Sequence, residues 1–170
     1  KIDVPYKTLE FYDVSREKLC VSQGEYEFMI GASSTDIRLS KDIYINGEVI
    51  PPRDISMVIK AKNFDSSKNC TLNFCTDIFE HYVISHDWGG SVTFYDVALC
   101  DYESVLIMAA APAGTAEIQI IAKDFGDEPI AKARITPSPS KTKFAIYEIP
   151  FKKVNGISDL TINLNGYISF

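Results

Sequence analysis

The string Cys70-x4-Cys75-x5-His81-x4-His86 has the sulfur and imidazole donors that bind zinc. Its spacing argues against a site. Residues five apart on one strand point to opposite faces, so each pair would need a bulge to converge, and the segment between Cys75 and His81 is too short for a finger helix. Separate buried thiols and surface or hydrogen-bonded histidines are expected instead. Asp124, Asp127 and Glu128 cluster around Gly126, but paired-carboxylate hydrolysis needs two such groups facing each other across a cleft. They read as a solvated hairpin turn. Asp124-Phe125-Gly126 comes without the Gly-rich and catalytic loops of a kinase, and no Gly-x-Ser-x-Gly elbow is found. No catalytic residue, metal ligand or cofactor site is expected. What remains is noncovalent chemistry. Trp88, the only tryptophan, stands in the run Ser85-His86-Asp87-Trp88-Gly89-Gly90, where its ring could stack on a sugar or fold over a sheet edge as a core lid.

These residues need a scaffold, and the pattern of the chain is that of short strands. With 170 residues and 46% hydrophobic content, the chain is globular in composition and long enough for one domain or two small ones. Its apolar runs are too short to cross a bilayer as a helix. A net charge of −6, with no Lys/Arg cluster interleaved with aromatics, argues against nucleic acid as a partner. Four cysteines are too sparse for a disulfide-stapled scaffold, so reduced, buried thiols are expected. Asn69-Cys70-Thr71 is formally a glycosylation acceptor, read here as chance, and a cytoplasmic location is slightly favoured over a secreted one.

The turn at Asn46-Gly47 followed by Pro51-Pro52 breaks any ladder and marks a boundary. Before it, Tyr26, Phe28 and Ile30 share one face of an extended segment, Ile37 and Leu39 share one face of the next, and residues 33–36 turn between them. After it, ten short strands are expected, at residues 56–64, 70–76, 81–84, 90–97, 105–111, 116–122, 129–135, 144–150, 160–163 and 167–170. Ten such strands make a sandwich or jelly roll. Residues 102–111 have helix-favouring Glu, Leu, Met and Ala, yet the β-branched centre and the turn at Pro112 to Gly114 make them a strand.

The phrase Gly31-Ala32-Ser33-Ser34-Thr35-Asp36-Ile37-Arg38-Leu39, with Phe11-Tyr12-Asp13 upstream, resembles the C-terminal fibronectin type III-like domain of family 3 glycoside hydrolases, the β-glucosidase family. The family's Trp before its Val-x-x-Gly is missing, since the chain reads Leu19-Cys20-Val21-Ser22-Gln23-Gly24. The resemblance implies that residues 1–50 are the last strands of an incomplete sandwich, with the catalytic barrel, the second α/β domain and the first strands lying outside these 170 residues.

Residues 55–170 resemble a family 6 carbohydrate-binding module, a β-jelly roll. The carriers are Lys60-Ala61-Lys62-Asn63-Phe64, Gly90-Ser91-Val92-Thr93-Phe94, Met108-Ala109-Ala110-Ala111, Gly114-Thr115-Ala116-Glu117-Ile118-Gln119-Ile120 and Gly166-Tyr167-Ile168-Ser169-Phe170. The resemblance implies a flat aromatic face for a pyranose with amides at its edge, and Trp88, Asn165 and Tyr167 are the candidates for it. Three positions depart from the family. Ser91 stands where a strand Tyr is usual, Tyr167 replaces a terminal Trp, and the loop before the last strand shrinks to little more than Asn163-Leu164-Asn165-Gly166. The family's structural calcium is held by two glutamates of the opening motif. Lys60 and Lys62 stand there, and an ammonium cannot coordinate a cation.

The expected fold is therefore all-β, a partial fibronectin type III-like sandwich plus a jelly roll. The expected function is a non-catalytic ancillary region of a family 3 β-glycosidase, binding a β-linked glucan or xylan oligosaccharide or giving structural support beside upstream catalytic domains. Two other roles stay open: a loop contributor to the parent's substrate site, and an interaction module that self-associates through its N-terminal strands.

Overall fold

The computed structural model describes residues 2–86 and 89–170. Trp88 thus lies outside the described residues. The chain forms two units divided between Pro51 and Pro52, taken here one at a time.

The first unit holds four strands: β1 (Phe11–Asp13), β2 (Lys18–Cys20), β3 (Gly24–Ser33) and β4 (Asp36–Ile45). β1 pairs with β2, and β3 with β4, both antiparallel. In the long hairpin Tyr26 faces Ile43, Phe28 faces Lys41 and Ile30 faces Leu39, so one side is apolar but for Lys41, while the other pairs Glu25 with Tyr44 and Glu27 with Asp42. The apolar side is not covered within the unit: Ile30 is 47% and Leu39 66% exposed. Gly31 sits at a register shift, where a Cβ would run into the backbone carbonyl of Asp36. The β1–β2 hairpin is tied by charge. Asp13 accepts from the Ser15 N–H at 2.9 Å and from Arg16 Nε at 2.5 Å, and Arg16 also reaches Glu48, which Lys18 shares at 2.6 Å.

The second unit is a sandwich of two sheets. Its strands are β5 (Arg53–Asp54), β6 (Ser66–Lys68), β7 (Cys70–Cys75), β8 (Glu80–Ser85), β9 (Gly90–Cys100), β10 (Ser104–Ala109), β11 (Ala116–Ala122), β12 (Ala131–Ile135), β13 (Ala145–Pro150) and β14 (Asn155–Asn165). One sheet runs β12-β11-β14-β9, with β5 and β6 both added to β9. The other is built from β7-β8 and β10-β13, joined through residues 168–170. Val83 N–H donates to Phe170 O at 2.8 Å and Ala110 N–H to Ser169 O at 2.8 Å, each with its reciprocal bond. The closing segment is thus a fifth strand between β8 and β10.

Period-two alternation decides which residues enter the core. In β11 Ile118 and Ile120 point inward while Glu117 and Gln119 stay partly exposed. They meet Val92, Val97 and Leu99 of β9 and Leu164 of β14 from their own sheet, and Val83, Ile107, Ala109, Ile149 and Ile168 from the other. Each large aliphatic side chain buried here contributes about 1.5–3 kcal/mol. Arg53 clamps the end of the sheet: it donates to Asp65 Oδ1 at 2.6 Å and lies 5.7 Å above the Phe94 ring, while Asp65 Oδ2 accepts from Tyr95 N–H.

Several expected boundaries change. Residues 56–64 form no strand. They hold a 3-10 turn at Ala61–Asn63, which lets Phe64 pack on the core together with Ile55, Ile59 and Ala61 although its position has the opposite strand parity; Val58 is 94% exposed. The last long strand runs from Asn155 to Asn165, past both ends of the expected 160–163. The expectation of four buried thiols holds at Cys20 and Cys75, is half met at Cys70 and fails at Cys100, which is exposed; all four cysteines are free. Among the described residues no helix is long and apolar enough to cross a membrane.

Candidate functional site

Asn165 ends β14 and Tyr167 begins the closing strand, so the two candidates flank the point where the chain leaves one sheet for the other. Only Gly166 separates them. Its φ of +109° suits glycine, and a Cβ there would approach the Ala116 Cβ to 3.1 Å. Ser85 holds this crossing in place. Its hydroxyl lies 2.6 Å from Gly166 O and accepts from Ile168 N–H at 2.8 Å, with no side-chain exposure left. Nothing in the local sequence distinguishes Ser85 from an ordinary turn serine, because both partners come from the far end of the chain.

The crossing sends the two side chains to different surroundings. Asn165 Nδ2 donates to Glu117 Oε1 at 3.4 Å; the same carboxylate takes Gln119 Nε2 at 2.5 Å and Lys132 Nζ at 3.2 Å. These contacts hold the Glu117 carboxyl below its ordinary value, Gln119 most and Lys132 next. Asn165 therefore belongs to the outer face of the first sheet, a row of small polar residues. There Gln119 faces Asn163, Asn163 faces Ser91, and Ser91 faces Lys68.

Tyr167 lies on the outer side of the second sheet. It packs with Phe144 against a buried patch of Cys75, Tyr82 and Ile84, where Tyr82 and Phe144 meet edge to face at 5.7 Å. The loop of residues 136–144 crosses this patch, anchored by Ser138 N–H to Ala111 O at 3.0 Å. Ser169, two residues along on the same side, is fully buried, and its hydroxyl has no partner among the described residues. A shallow groove of about 320 Å³ opens between Tyr167, Pro112, Ala113 and Lys141. Its volume sits at the small end of ligand pockets, ~300–1,000 Å³. Asn165 does not line it. Lys141 and Pro112 carry no family motif, and only the fold brings them to Tyr167.

The other chemistry-bearing residues stay apart. Cys70 packs on the main core and its thiol is pushed up by burial, whereas Cys75 joins the patch on the opposite side. His81 stacks edge to face on Phe74 at 5.2 Å, and among the described residues no three His, Cys, Asp or Glu groups converge as a metal site. Asp124, Asp127 and Glu128 are all exposed on the turn between β11 and β12. Lys60 and Lys62 both grip Glu80, at 2.7 and 2.5 Å. Two ammonium groups on one carboxylate do not fit a calcium, and Glu80 is held down to about 2, by Lys60 first and Lys62 second.

No family model matches the sequence, and no curated protein is similar enough to count as a relative. The backbone, however, has close counterparts among solved structures. A family 6 carbohydrate-binding module from Clostridium stercorarium, solved in complex with cellobiose, superposes with a TM-score of 0.63 at 17% identity, covering 71% of this chain and 93% of that one. A family 6 module from Clostridium cellulolyticum, in complex with xylose, gives 0.58 at 13% identity over 68% and 96%. The fold is that of a family 6 carbohydrate-binding module. A glycoside hydrolase family 43 arabinoxylan arabinofuranohydrolase from Bacillus subtilis, in complex with cellotetraose, also superposes, at 0.59 and 10% identity, over 84% of this chain but 31% of its own. At these identities the likeness carries the fold and not the ligand.

Proposed function

We propose that residues 52–170 are a non-catalytic carbohydrate-binding unit that holds a β-linked glucan or xylan oligosaccharide against Tyr167. The observation that carries this is Tyr167, packed on the buried patch of Cys75, Tyr82 and Ile84 and lining an open groove. A pyranose offers a flat C–H face to such a ring and hydroxyls to its rim. The fold neighbours solved with cellobiose and xylose support the same class of ligand. Calorimetric titration of the chain with cello- and xylo-oligosaccharides tests it: binding is expected, and Tyr167→Ala should weaken it about tenfold or more, as loss of a stacking aromatic costs on the order of 1–3 kcal/mol. Equal affinity in Tyr167→Ala would move the site elsewhere.

The first unit is best read as the end of a fibronectin type III-like sandwich in a family 3 β-glycosidase. Its support is the motif of residues 31–39 together with the β3–β4 hairpin, which carries one apolar face and lacks a second layer within the unit. That bare face also favours a second reading, an interaction module that self-associates through these strands. Light scattering separates the two, since a strict monomer at high concentration contradicts self-association.

A further inference from the structure

We infer that the ligand held at Tyr167 is an acidic sugar, a uronate-bearing oligosaccharide, and that Lys141 reads its carboxylate. The inference rests on the glycan-binding reading above and narrows its ligand class. The groove is lined by Pro112, Ala113, Lys141 and Tyr167, which belong to the segments 110–115, 136–144 and 166–170. The only charged side chains on them are Lys141 and Lys143, in a chain whose net charge is −6. The local sign is thus opposite to the global one, which is how a protein favours one class of charged ligand at one place on its surface.

Lys141 lines the groove and is exposed, and its ammonium has no ion pair or hydrogen bond among the described residues. Lys143, on the same loop, has no ion pair among the described residues either, whereas Lys60, Lys62, Lys132 and Lys153 sit on carboxylates. The loop that carries Lys141 is held before any ligand arrives. Ser138 Oγ donates to Ser140 O at 3.0 Å, Ser140 Oγ accepts from Thr142 N–H at 3.4 Å and lies 3.3 Å from Thr142 Oγ1, and Pro137 and Pro139 fix φ at two further positions. Little loop entropy is then lost on binding. A neutral sugar would use the Tyr167 face alone. A ring bearing a carboxylate adds a charge-assisted hydrogen bond to Lys141 Nζ.

The test is a calorimetric titration of the full chain with a glucuronate-substituted xylo-oligosaccharide and with the unsubstituted oligomer of equal length. At low ionic strength the acidic oligomer should bind about fivefold more tightly, a ratio suited to one solvent-exposed charge pair, and high salt should shrink the ratio. Lys141→Met should bring the ratio to one, and Lys141→Arg should restore it. Equal affinities in the wild type, or a preference that survives Lys141→Met, overturns the inference and leaves glycan binding standing. Failure of both oligomers to bind overturns the inference together with the reading it rests on.

Discussion

Single side chains explain how the opening segment of the second unit is fastened to β8. The resemblance puts metal-binding glutamates at positions 60 and 62, and this chain has lysines that converge on Glu80. The sign of its pH dependence follows from the lowered carboxyl. A carboxyl depressed to about 2 contributes stability that is fully present above the ordinary value of about 4.3 and is lost as pH falls through the folded one. Glu80→Gln should therefore lower the denaturation midpoint most above pH 5, with the gap to wild type closing near pH 2; a gap constant across that window would count against the clamp. Ser85 gives a second prediction. Ser85→Ala strands the buried Ile168 N–H and removes the bond to Gly166 O, which should cost about 1–3 kcal/mol. Amide exchange at residues 166–170 should speed up more than at β11. The Lys60–Lys62 departure could be read from the sequence, but the partner Glu80 could not, since it stands eighteen positions beyond Lys62 and twenty beyond Lys60, on another element.

At the scale of elements, legibility followed burial. β11 was read at its true limits because one face is wholly inside and the alternation is complete. β14 was read too short because Ile157 is 55% exposed and a register shift between Ser158 and Leu160 breaks its alternation. β5 and β6, of two and three residues, exist only through pairing with β9, and no local pattern marks them. The sheet edges differ in how they are protected. β12 carries Lys132 and Arg134, and β13 carries Glu148 and ends in Pro150. β7, Cys70–Cys75, has neither charge nor proline, pairs among the described residues only with β8, and leaves Leu72 48% and Phe74 50% exposed. Such an edge invites strand pairing between molecules. Leu72→Lys should leave the melting temperature within a few degrees of wild type while reducing concentration-dependent association in sedimentation; unchanged association would mean that β7 is not the contact.

Across the whole molecule the same residue types serve opposite ends. Apolar alternation closes a continuous core in the second unit, whereas in the first it leaves Ile30, Leu39 and Ile43 open along one hairpin face. The jelly roll was legible because the apolar runs and turn signals that mark its strands are local, even though those strands pair out of chain order, as in β12-β11-β14-β9. The groove was not, because Pro112, Lys141 and Tyr167 sit on three separate segments that only the completed sandwich assembles. The central claim is that a sugar is held where the chain crosses between sheets. Amide chemical-shift mapping of the full chain, titrated with a xylo- or cello-oligosaccharide, tests it most directly. The account predicts saturable shifts confined to the amides of residues 113, 138, 140–142 and 165–168. Shifts centred on the exposed aromatics of the β7–β8 hairpin, or none at millimolar sugar, would contradict it.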